Sequence, residues 1–136
     1  MNGIPLPLVV VDAANVVGSV PDGWWRDRRG ATERLRDALV PFAAAGLPER
    51  PDVPEWARRP PLELLLVVEG AARDVAPVPG VGVEAAPGTG DDRIVELVAA
   101  RRPPGRPCLV VTADRGLRER VTAHDATVAG PRAVRP

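Results

Sequence analysis

The sequence predicts one three-layer α/β domain over residues 1–136, with a central, mainly parallel sheet flanked by helices. Three observations carry this. The chain has 136 residues, which suits one domain of about 100–200 residues. Its short apolar runs are near-continuous rather than alternating, as in strands covered on both faces. Helical patterns separate most of these runs, in the order β–α–β–β–α–β–α–β, which joins parallel strands through right-handed crossovers.

The first strand is read at Leu6–Val11. The first helix is read at 31–45, where Leu35, Leu39 and Phe42 recur at spacings of four and three and mark one apolar face. Thr32 is the expected N-cap, and Gly46 and Pro48 end the helix. Residues 48–61, PERPDVPEWARRPP, form a Pro-rich excursion too short to link two folded halves. Strands follow at Leu62–Val68 and Val81–Val83. A second helix is read at 91–102 from Ile94, Leu97 and Val98, stopped by Pro103-Pro104-Gly105. The fourth strand is Cys108–Val111, the last helix 114–123 carries Leu117 and Val121, and Thr127–Val128 closes the sheet as a weak fifth strand.

Composition narrows the chemistry. All 18 basic residues are Arg, balanced by 18 acidic residues. Without Lys, a P-loop, a Schiff-base enzyme and a receiver domain with its acidic-site lysine are excluded in their usual forms. Zero net charge gives no overall basic field for nucleic acid. Cys108 and His124 stand alone, which excludes an internal disulfide and a zinc centre of several Cys or His. Cys108 reads as a core residue, and His124 as a side chain near a helix end. No signal peptide or membrane span is read, so the expected location is cytoplasmic. The glycines of residues 80–90 lack the GxGxxG order of a dinucleotide fold.

Ligands of open α/β sheets bind outside the carboxyl ends of the strands. Asp12 and Asn15 follow the first strand, Glu69 the second, and Thr112 and Asp114 the fourth; Asp91 and Asp92 open a helix. Five carboxylates from four segments thus converge on one edge. Grouped like charges call for protonation or a cation, and a set of oxygen ligands suits Mg²⁺ or Mn²⁺. Capping explains some of the same residues. Asp91 and Asp92 favour a helix dipole, and Asp114 is placed to be an N-cap. Asp12 interrupts an apolar run where no cap is evidently needed.

The segments from Val10 to Gly18 (VVDAANVVG), Gly90 to Leu97 (GDDRIVEL) and Val111 to Arg118 (VTADRGLR) resemble NYN domains, especially their YacP-like branch, within the PIN-like superfamily of metal-dependent nucleases. The resemblance runs from residue 8 to about residue 131. It implies a PIN-like fold and a Mg²⁺- or Mn²⁺-dependent ribonuclease. Residue by residue, Asp12 matches the acid closing the first strand, Asn15 the Asn of the opening motif, and Asp114 the acid after the fourth strand. Asp91 matches the acid opening the preceding helix, with Asp92 its competitor. Glu69 stands where YacP-like members tend to carry Asp.

Phosphodiester hydrolysis needs a water nucleophile, neutralised phosphate oxygens and a stabilised leaving oxygen, all of which bound metal can supply. The expected ligands are Asp12, Asp91 and Asp114, with Asp92 and Glu69 as outer or second-ion ligands and Asn15 and Thr112 positioning water or phosphate. The expected RNA contacts are Arg26, Arg28, Arg29, Arg93, Arg115 and Arg118, with Trp24 and Trp25 for stacking on unpaired bases; Arg34 belongs to the same basic group. The RNA is single-stranded or structured, the ribosome is one candidate presenting partner, and a homodimer is left open. Two rival functions stand beside this one: an RNA-binding protein of the same fold without turnover, and a metal-dependent phosphatase or nucleotide hydrolase.

Overall fold

The structure, a computed structural model, describes residues 5–135. Five strands form one all-parallel sheet: β1 (Leu8–Asp12), β2 (Glu63–Val68), β3 (Val81–Ala85), β4 (Cys108–Val111) and β5 (Thr127–Ala129). Their spatial order is β3-β2-β1-β4-β5, which puts the first strand at the centre. The helices are α1 (Ala13–Val17), α2 (Arg28–Ala45), α3 (Gly90–Ala100) and α4 (Arg115–Thr122), with four short 3₁₀ turns between elements.

The unbroken apolar runs have a direct cause. Val9 and Val11 of β1 pack with Leu35 and Leu39 of α2, while Leu8 and Val10 pack with Ile94 and Val98 of α3 and Leu117 and Val121 of α4. Successive side chains of a strand point to opposite faces, and here both faces are covered by helices. Val9, Val10 and Val11 are fully buried, each contributing about 1.5–3 kcal/mol of burial.

Three readings of the sequence are corrected. Thr32 does not cap the first long helix. Asp27 does, accepting from the Gly30 N–H at 2.9 Å, and Thr32 sits inside α2 with its hydroxyl donating to the Arg28 carbonyl at 2.8 Å. The exposed first turn, Arg28-Arg29-Gly30, has no apolar periodicity to announce it. The helix α1 has no signal in the sequence, because five residues are too few to show a period. Asp12, read as an interruption needing no cap, is the N-cap of α1. Between β2 and β3 the chain needs no helix: residues 69–80 hold one 3₁₀ turn, Gly70–Ala72, and about a dozen residues suffice for a parallel crossover.

Gly46 ends α2 for a geometric reason. Its φ is +83°, and a Cβ there would lie 2.2 Å from the Arg58 carbonyl oxygen. The Pro-rich excursion is thereby folded back against the helix end, where Leu47 N–H donates to Ala57 O. Among the described residues no helix is long and apolar enough to cross a membrane.

Candidate active site at the carboxyl edge of the sheet

The connection from β1 leads to β2 on one side, whereas β4 leads to β5 on the other. The chain therefore reverses its winding between β1 and β4, the place where open α/β sheets leave a crevice for ligands. Val10 pairs with Val110 and Val11 with Val111. One residue further, Asp12 and Thr112 fall side by side, and the Thr112 hydroxyl donates to Asp12 Oδ2 at 2.9 Å. By strand alternation both share the side of Val10 and Val110, towards α3 and α4.

Asp12 is 4% exposed and Thr112 fully buried. Burial, the largest cause, pushes the Asp12 carboxyl from its ordinary 3.8 up to about 6, helped by the negative charges of Asp91 and Glu69 and opposed by hydrogen bonds from Thr112 and the Asn15 N–H. Asp91, at the start of α3, is also raised. Desolvation is again the main cause, followed by Asp114 and Glu69, with Arg120 pulling the other way.

The rest of the edge is held by local bonds. The Asp114 N–H donates to Thr112 Oγ1 at 3.1 Å, and Asp114 Oδ1 caps α4 by accepting from Leu117 N–H at 2.8 Å. Asn15 Oδ1 accepts from Ala113 N–H at 2.8 Å, tying α1 to the end of β4. Thr112 and Asn15 thus brace the loops that carry the acids. Glu69 leans over the start of α3: a Cβ on Gly90 would lie 2.9 Å from its Oε1. Gly90 was not singled out in the sequence, and its only signal there was its place beside Asp91.

Asp92 turns aside. Its carboxylate meets Arg120 at 3.0 Å and remains 68% exposed. Arg120 carried no signal in the sequence, since its role depends on α4 packing beside α3. Among the described residues no three Asp, Glu, His or Cys side chains are close enough together to hold one ion. The acids share an edge and feel one another's charge, while Asp12 and Asp114 also cap α1 and α4. As donors they fit a hard divalent cation: all are oxygens, and the innermost is buried with no cationic partner in contact.

The predicted RNA-contact residues divide into two groups. Arg29 pairs with Asp74 at 3.2 Å, and Arg93 with Glu84 at 2.8 Å and Glu96 at 3.3 Å. Arg118 Nε donates to the Thr112 carbonyl at 2.8 Å, so it supports the site from beneath. Arg26, Arg28 and Arg115 are exposed, and among the described residues they form no ion pair. Arg28 lies over the Trp24 ring at 5.3 Å and Arg26 over Trp25 at 5.8 Å. Trp24 is half-buried against the core, whereas Trp25 is exposed. Cys108 is buried in β4, and burial pushes its thiol up to about 11.

The fold is similar to that of Rae1 (YacP) from Bacillus subtilis. A crystal structure of a mutant of that protein aligns with a TM-score of 0.66 and 16% identity, over 95% of this chain and 72% of the other. The shared architecture is a parallel sheet between helical layers. No protein-family model matches the chain, and no curated protein does.

Proposed function

We propose that the protein is a metal-dependent ribonuclease that hydrolyses RNA phosphodiester bonds at the carboxyl edge of its sheet. One observation carries the reading. Asp12 is buried at the winding reversal, and its charge is opposed by burial and by two neighbouring carboxylates. That arrangement is costly for the free protein and favourable once a cation is present. Fold similarity to Rae1 (YacP) agrees with it.

Asp12, Asp91 and Asp114, which are not close enough together in this structure to hold one ion, would have to draw in around Mg²⁺ or Mn²⁺, with Glu69 and Asp92 further out. A divalent ion there supplies charge to activate water and neutralise phosphate oxygens. The protein's own part is positional. Thr112 fixes the orientation of Asp12, and the same hydroxyl accepts from the Asp114 backbone N–H, which ties the start of α4 to Asp12. Asn15 holds the α1 segment against the β4 loop. Arg115, an exposed cation next to Asp114, would take a flanking phosphate.

The test is Mn²⁺ titration by calorimetry together with cleavage of single-stranded RNA. Wild type binds Mn²⁺ and cleaves; Asp12→Asn does neither. Undiminished Mn²⁺ affinity in Asp12→Asn refutes the site. RNA binding without cleavage in wild type, with Mn²⁺ present, supports the binding-protein reading. Phosphate release from nucleotides with indifference to RNA supports a phosphatase.

A further inference from the structure

A cavity of about 330 Å³ opens on the α1–α2 side of the acidic edge. Its size is at the lower end of the roughly 300–1,000 Å³ of small-molecule sites. It starts one residue beyond Asp12, with α1 forming one wall and the 3₁₀ turn after β2 another. We propose that this cavity receives one unstacked base of the RNA whose phosphodiester lies at the carboxylates. The assignment rests on the ribonuclease reading and adds a base-binding subsite to it.

Four features of the lining support a base rather than a phosphate or an aliphatic chain. Trp24 offers an aromatic wall, held in place because it packs against the core. The Arg28 guanidinium, 5.3 Å from that ring, adds a second planar cationic surface, and both kinds of surface stack on bases. Ala14 and Ala72 are small, which leaves the space open. Apart from the Arg28 guanidinium, the polar side-chain atoms are acceptors. Thr32 has spent its proton on the Arg28 carbonyl, so its hydroxyl oxygen is left to accept. Glu69 contributes a carboxylate.

The pocket is continuous with the carboxylate edge through Glu69. This residue lines the cavity and also leans on Gly90, next to Asp91. A ligand that fills the pocket and reaches past Glu69 arrives at the acids. A nucleotide has that shape, with a flat base at one end and a phosphate at the other. Thr32 and Glu69 would take ring N–H or amino groups of the base.

The experiment titrates the full chain in EDTA with the four ribonucleoside 5′-monophosphates, and with ribose 5-phosphate as a control lacking a base. The expected result is about tenfold or tighter binding of at least one nucleotide over ribose 5-phosphate, the size of effect that stacking gives. Ala14→Leu, at an exposed position that lines the cavity, erases this difference. Arg28→Gln, on the exposed first turn of α2, reduces it by a similar factor and covers the case in which Ala14→Leu misfolds. Equal affinity for ribose 5-phosphate, no nucleotide binding at millimolar concentration, or unchanged affinity in both variants overturns the pocket. Mn²⁺ titration of the same proteins separates the two readings. Mn²⁺ binding with no base preference overturns the pocket alone, whereas base preference with no Mn²⁺ binding in wild type overturns the metal site alone.

Discussion

Replacing Asp12 by Asn exchanges a buried carboxylate for a neutral side chain of nearly the same shape. In the metal-free protein its carboxyl is raised from 3.8 to about 6, chiefly by burial. Between these two values the folded chain holds a proton that the unfolded chain has released, so stability falls as pH rises through this window. Above about pH 6 the full cost is present; below about pH 4 it is absent. A displacement of about two pH units corresponds to roughly 3 kcal/mol, and at 4% exposure there is little solvent screening to reduce it. The amide keeps an acceptor for Thr112 but brings N–H groups of its own, which takes back about 1 kcal/mol. Asp12→Asn is therefore expected to stabilise the metal-free protein by about 2 kcal/mol at pH 7.5, or roughly 8 °C in Tm for a domain of this size. Urea unfolding in EDTA from pH 4 to 8 measures it. The gain should fade towards pH 4, and added Mn²⁺ should raise the Tm of wild type but not of the variant. A variant less stable than wild type at pH 7.5, or a difference independent of pH, refutes the reasoning.

Thr112→Val removes the hydroxyl that donates to Asp12 and accepts from Asp114 N–H. It should cost about 1–3 kcal/mol in urea unfolding and move the Asp12 carboxyl further upward in an NMR titration, because the bond it loses favours the charged form. Gly46→Ala places a Cβ 2.2 Å from the Arg58 carbonyl at a φ of +83°. It should destabilise by more than about 2 kcal/mol in thermal melting, well beyond the roughly 0.5–1 kcal/mol scale of ordinary Gly and Ala exchanges.

Much of this architecture was legible because burial on both faces leaves so plain a mark. Runs such as Leu62–Val68 and Cys108–Val111 gave their strands to within about two residues. The placement of Asp12, Asp91 and Asp114 at one edge was legible because they follow or precede apolar segments. What stayed hidden depends on partners distant in sequence. The five residues of α1 are too short to show a period, and without that helix the capping role of Asp12 had no basis. Continuous apolar strands also conceal which residues face which layer, so the Asp12–Thr112 bond needed the register of β1 against β4. The Arg120–Asp92 pair and the leaning of Glu69 on Gly90 arise from the packing of separate elements. The basic residues were the least legible, since the sequence alone does not show that Arg93 meets Glu84 while Arg28 lies over an indole.

The central position of β1 has a consequence for how the site comes into being during synthesis. Its neighbours are β2 and β4, the second of which begins about a hundred residues downstream. A nascent chain that has emerged only as far as α3 carries Asp12, Glu69 and Asp91 but lacks the Thr112 hydroxyl and Asp114, which complete the edge. Such distant pairing is slow to close, because loop entropy must be overcome first. The proposed cleavage of RNA would thereby be tied to the last strands reaching the sheet, and a half-made chain would not yet carry the complete edge.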